Sequence, residues 1–197
     1  MFSFVVDGEC EFWYIQLLKQ HETLNINLEP KLPQKKKMQD QFNLVSELAK
    51  ESEKVFWIVD FDVINKETKE GKRGQKSKLT KFKEYYLKVK RHSNIVIIVN
   101  NPCLEYWFLQ HFEETSKYFE TYEKLEKSLK NHLPTYEKTE KYFVKSNPDI
   151  YKRLKPKLQE PAIPNSEKLG EFDFDKVQTG ITEMYKVFRE LGLTLSK

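Results

Sequence analysis

The stretch "VFWIVDFDVI", residues 55–64, decides how the rest of the chain is read. Val55 to Val59 is an unbroken run of aromatic and β-branched residues, the composition of a strand covered on both faces. It closes on two acids, Asp60 and Asp62, at alternate positions. If the strand continues through them, both carboxylates share one face. Two acids at that place either cap a neighbouring element or present charge at the carboxyl end of a sheet, where α/β proteins bind ligands.

Working outward, two more apolar runs have the same form. "FSFVV" (2–6) is stopped by Asp7-Gly8, and "NIVIIVNN" (94–101) ends in asparagines. Between them lie helical patterns in "EFWYIQLLKQH" (11–21), "MQDQFNLVSELAKESE" (38–53) and "KLTKFKEYYLKVK" (78–90). "LNINLEPKL" (24–32) alternates and meets Pro30, which suits an edge strand. "CLEYWFLQHF" (103–112) is a short helix, with Pro102 fit for its first turn and Asn101 for its cap.

Apolar strands alternating with amphipathic helices predict an α/β fold: a mostly parallel sheet flanked by helices. Residues 1–112 form that core, and residues 113–197 a helical C-terminal extension packed on it as one unit. In the extension, 117–133 and 174–192 read as helices, with a proline-broken segment between them. "EFDFDK" (171–176) repeats the acidic alternation without a preceding strand, so Asp173 and Asp175 read as helix caps.

Composition narrows the partners. The chain has 197 residues, 14% of them aromatic, enough to build a substantial core. Net charge is +4, yet residues 66–91 hold eleven Lys or Arg against three Glu. Such a block is either a solvated lysine-rich face or a site for a polyanion. Lys72, Arg73, Lys76 and Lys78 flank Gly71 and Gly74, an arrangement suited to sequence-independent phosphate contacts. No apolar run approaches the ~18 residues of a membrane span, and the start lacks a basic signal region. A cytoplasmic protein without membrane contact is expected. Cys10 and Cys103 are too few for a disulfide framework, and the four histidines lack zinc spacing.

Three predicted strand ends finish in oxygen-rich clusters. They supply Asp7, Glu9 and Glu11; Asp60 and Asp62; and Asn100, Asn101 and Glu105. Converging hard oxygen ligands suit Mg²⁺ or Mn²⁺.

Three segments carry a closer likeness. "FVVDGECEFWYIQLL", "VFWIVDFDV" and "VNNPCLEYWFLQHF" resemble the opening turn, acidic strand and Asn-Pro-Cys-x-Glu-x-Trp segment of the RloB family, TOPRIM-like anti-phage defence proteins. The resemblance implies a TOPRIM-like fold and a metal-dependent nuclease acting on RNA (tRNA among the candidates) or DNA. Asp7, Glu11, Asp60 and Asp62 would hold the Mg²⁺ or Mn²⁺. Glu105 would be a further ligand or, with Asn101, support from behind. It also implies an ATPase partner of the ABC or old-lysogenisation type, since the sequence has no P-loop motif of its own. One departure stands out: Asp7 occupies the place where the TOPRIM turn usually has Glu. Two other readings stay open, a non-catalytic binding module on the same scaffold and an enzyme acting on another phosphate. Self-association is left open as well.

Overall fold

The computed structural model describes residues 1–31, 37–70 and 76–194. The apolar runs become a five-stranded sheet. Strands β1 (Phe2–Val5), β2 (Ile26–Glu29), β3 (Lys54–Asp60) and β4 (Ile95–Asn101) are parallel, and β5 (Ile181–Thr182) is antiparallel to β4. Their order is β2-β1-β3-β4-β5, so β2 is an edge strand and β3 is central. This is the expected α/β architecture, compatible with a TOPRIM-like fold.

Burial on both faces explains why the strands read as continuous apolar runs. Val55, Trp57 and Val59 of β3 face one hydrophobic cluster, with Phe61, Ile64, Phe82 and Tyr86. Phe56 and Ile58 face the other, with Trp13, Tyr14, Trp107 and Phe108. On the first side lie α2 (Met38–Leu48), α3 (Phe61–Lys69) and α4 (Lys78–Val89). On the second lie α1 (Glu9–His21), α5 (Glu105–Gln110) and most of the C-terminal residues. That alternation sends Asp60, the next even position after Ile58, toward α1 and α5.

Four readings are corrected. First, the strand does not run through both acids. The chain enters α3 at Phe61, so Asp60 ends β3 while Asp62 sits in the first helical turn, its N–H donating to Pro102 O at 2.9 Å. Phe61 and Ile64, three residues apart, both bury, which is a helical spacing. The two carboxylates therefore do not share a strand face.

Second, 174–192 is not one helix. A turn at 173–176 leads to β5 and then to the short α10 (Tyr185–Glu190). Tertiary hydrogen bonds override the periodicity there: Asn101 Nδ2 donates to Val177 O at 2.8 Å and Thr179 O at 2.9 Å. Gly180 passes so tightly that a Cβ would lie 2.3 Å from Tyr106 Oη. The sheet is thus completed by a strand from the extension, which is not wholly helical.

Third, Asp173 caps a turn rather than a helix, accepting from Asp175 N–H at 2.9 Å. Fourth, β4 continues through Asn101 and α5 starts at Glu105. Asn101 is therefore not its cap, nor Pro102 its first turn.

The remaining helices are short: α6 (Tyr122–Lys130), α7 (Glu140–Phe143), α8 (Ile150–Leu154) and α9 (Ile163–Lys168). Thr139 and Asp149 cap α7 and α8. No helix among the described residues is long and apolar enough to cross a membrane.

Candidate functional site

The carboxyl ends of β1, β3 and β4 open at one edge of the sheet. Asp7, Gly8, Glu9, Cys10, Glu11, Asp60, Val63 and Lys138 line a cavity of about 430 Å³ at that edge. The structure therefore brings Asp7, Glu11 and Asp60 to one cavity. Asp62 lies across Val63, on a neighbouring cavity of about 630 Å³ shared with Lys66, Glu120 and Glu123.

Each acid is positioned by its local structure. Asp7 accepts from Gln41 Nε2 at 2.6 Å, and Gln41 Oε1 in turn accepts from the buried Trp57 indole N–H at 2.8 Å. The indole fixes which way the amide points, so the amide N–H₂ faces Asp7. Gly8 has ordinary extended backbone, but a Cβ there would come within 2.6 Å of Glu11 Oε2. Glycine is what lets the Glu11 carboxylate fold back against the start of α1.

Glu11 and Asp60 are both buried and hydrogen-bonded to each other. Burial pushes Glu11 up to about 7, with nearby Glu105 adding to it. Burial likewise pushes Asp60 well above the usual carboxylate range, reinforced by Glu11, Asp62 and Glu105. Burial thus disfavours the charged form of both carboxyls. Asn100 Nδ2 reaches Asp60 Oδ1 at 3.4 Å, and Asn100 Oδ1 accepts from Thr182 Oγ1 at 2.7 Å. Asn100, not Asn101, is the strand-end asparagine that supports the site; Asn101 serves the 177–179 segment. Burial raises Asp62 to about 6, with Lys138 opposing.

Glu105 lies beneath, fully buried at the start of α5. Its Oε1 accepts from Tyr136 Oη at 2.6 Å and pairs with Lys138 Nζ at 3.1 Å. Its Oε2 is buried with no hydrogen-bond partner. Lys138 and Tyr136 come from the loop between α6 and α7, as functional candidates outside every sequence motif. Their signal is only spatial: nothing in "LPTYEKTE" departs from an ordinary loop. Cys10 lines the cavity too, but burial pushes its thiol up, away from a reactive thiolate.

The basic segment reaches the site at one point. Lys78 lines a third cavity, of about 390 Å³, with Asp7, Gln41 and Val63, and pairs with Glu67 at 3.0 Å. Lys76 pairs with Glu84 at 2.6 Å. Lys72 and Arg73 lie outside the described residues.

Do these residues fit a divalent cation? The donor set is carboxylate oxygen, which suits Mg²⁺ or Mn²⁺, and an orphaned buried oxygen on Glu105 lacks a counterpart. Among the described residues, however, no three His, Cys, Asp or Glu side chains are grouped ready to hold an ion. Glu11 is turned to Asp60, and Glu105 Oε1 to Tyr136 and Lys138. The chemistry fits, and the side chains must reorganise to use it.

A mostly parallel sheet with an acidic centre at its carboxyl edge is compatible with a TOPRIM-like α/β protein. The model of the RloB-like proteins matches residues 2–191, and the chain belongs to that family. Neither the curated proteins nor the solved structures yield a match.

Proposed function

We propose that this protein is a divalent-metal-dependent nuclease that hydrolyses phosphodiester bonds in RNA, with tRNA as one candidate, or in DNA. The observation that carries the reading is the convergence of Asp7, Glu11 and Asp60 on one cavity, with the buried Glu105 joined to it through Lys138. Asp7, Glu11, Asp60 and, from the adjoining cavity, Asp62 would hold the ion, with Glu105 a further ligand. A bound Mg²⁺ or Mn²⁺ supplies Lewis-acid activation of a phosphodiester and of water.

The chain's own residues do the rest. Glu11 and Asp60, whose charged forms burial disfavours, would be the carboxyls that a cation stabilises there. Asn100 and Gln41 hold Asp60 and Asp7 in place. Lys78, beside Asp7, offers an ammonium to the nucleic-acid backbone. Its pair with Glu67 is half exposed and screened by salt, so a phosphate competes for it readily.

As a RloB-like protein, it would serve as an anti-phage effector, restrained or delivered by an ATPase partner of the ABC or old-lysogenisation type. Self-association belongs to the same proposal. The scaffold reading, binding without cleavage, is favoured by one observation: Lys138, paired with Glu105 and lining the cavity, already sets a positive charge among the acids.

The test is Mg²⁺- or Mn²⁺-dependent cleavage of tRNA and DNA by the native protein, Asp60→Asn and Glu11→Gln. Loss of about 10³-fold or more in both variants is expected, since removing a group that stabilises transition-state charge costs that order. Undiminished cleavage by both would sink the nuclease mechanism. Binding without cleavage by the native protein would establish the scaffold reading.

A further inference from the structure

Lys138 is held from three sides at the acidic centre. Its Nζ is 3.1 Å from Glu105 Oε1 and 3.7 Å from the centre of the Tyr122 ring, and it lines the cavity of Asp7, Glu11 and Asp60. The loop that carries it is pinned by Tyr136, which is fully buried and donates to the same Glu105 oxygen at 2.6 Å. The acids around it are Glu11, Asp60, Asp62 and Glu105, with the Cys10 and Cys103 thiols nearby. One ammonium facing four carboxyl groups offsets part of their repulsion but cannot balance all of it.

We infer that Lys138 is the resident cation of this centre: it holds the carboxyl groups together in the metal-free protein and competes with a divalent ion for them. The inference rests on the metal reading above and adds how occupancy is controlled. A divalent ion held by the same carboxyl groups would repel the ammonium and weaken its pair with Glu105 Oε1. Lys138 has somewhere to go, because its side chain is 35% exposed while Glu105 is fully buried. Tyr136 stays with Glu105, so the loop remains anchored as the lysine leaves. The centre is thereby kept folded in either state, with the lysine as a gate on ion entry rather than a fixed part of the wall.

Titration of Mn²⁺ into the metal-free full chain by calorimetry tests this, using the native protein, Lys138→Met and Lys138→Arg. Lys138→Met keeps much of the stem and loses the charge. It is expected to bind Mn²⁺ at least about tenfold tighter, because one unit of repulsion at this range is removed. It is also expected to melt lower without metal and to recover on adding Mn²⁺. Lys138→Arg should stay near the native affinity. Equal or weaker binding by Lys138→Met overturns the inference and leaves the metal reading standing. Absence of Mn²⁺ binding by all three proteins overturns both. If Lys138→Met does not fold, the native protein gives the answer through amine acylation read by mass spectrometry. Mn²⁺ should raise the labelling of Lys138, and unchanged or reduced labelling counts against the gate.

Discussion

Among the described residues two glutamates are fully buried, each paired with a lysine, and they differ in what their second oxygen does. Glu183 is closed. Its Oε2 accepts from Val99 N–H at 2.9 Å, and its Oε1 accepts from Phe172 N–H at 3.2 Å and Lys186 Nζ at 2.8 Å. Glu105 is open: both of its partners, Tyr136 and Lys138, converge on Oε1, and Oε2 has none. Glu183 ties β4 to the segment that returns with β5, a structural task finished in the folded chain. Glu105 lies near other acids and keeps one buried oxygen without a hydrogen-bond partner, which is what the proposed ligand role would use. Burial and a lysine partner are common to both; what separates them is the accounting of individual oxygens and the acids nearby.

Breaking the closed member should give the largest effect. Glu183→Ala leaves Lys186 with only the exposed Glu171, at 3.3 Å, and leaves the buried Val99 and Phe172 N–H groups without their acceptor. Removing one partner of a buried pair costs about 3–5 kcal/mol. Chemical denaturation should show that loss, with Mn²⁺ affinity per folded molecule unchanged. A stable Glu183→Ala protein with impaired ion binding would erase the contrast between the two glutamates.

An orphan atom alone does not make a site, and the far end of α5 sharpens that point. His111, fully buried, donates from Nδ1 to Trp107 O at 2.9 Å, while its Nε2 has no partner. Burial lowers its pKa to about 4, with nearby Lys157 adding to the effect and its backbone hydrogen bonds opposing it. It is thus a neutral ring among aromatics, where Glu105 is an acid among acids. Because the folded pKa lies below the unfolded one, His111 contributes stability above pH ~6.5 that is lost as pH falls toward 4. The limit is about 3 kcal/mol at ~1.4 kcal/mol per unit. Glu11 works the other way: raised to about 7, it contributes fully at low pH and less as pH rises through 7. Denaturation of native and His111→Gln proteins between pH 7 and 4 separates the two. The difference in stability should shrink on acidification, and a constant difference would refute the neutral buried ring.

Much of the fold was legible because its strands are buried on both faces. Continuous apolar runs such as Val55–Val59 and Ile95–Val99 have few other uses in a chain of this composition. The site was legible in part. Asp7, Glu11 and Asp60 do meet, but Asp62 turned out to lie on a helix, since Phe61 fits alternation and helical spacing equally well. Asn101 was read as a cap from local chemistry, and its amide is instead taken by a segment 76 to 78 residues away. Lys138 and Tyr136 were invisible for the same reason: their meaning is a contact with Glu105 across 33 and 31 residues, which no local pattern encodes. β5 was hidden by its brevity, two residues held by Asn100 and Asn101.

The smallest effect expected is the most informative about the open glutamate. Glu105→Gln keeps an acceptor for Tyr136 Oη at the Oε1 position and changes little in volume, so its melting temperature should fall less than that of Glu183→Ala. What it removes is charge at the oxygen that has no partner. Mn²⁺ affinity should drop about tenfold or more, the scale at which groups supporting a metal site act. Glu183→Gln supplies the control, since the same change at the closed glutamate should leave ion binding alone and appear in stability. If calorimetry instead finds both Gln variants equal in Mn²⁺ affinity, the unpartnered Oε2 is a packing accident. The centre would then consist of Asp7, Glu11, Asp60 and Asp62 alone, with Glu105 serving to anchor the loop of Tyr136 and Lys138 against α5.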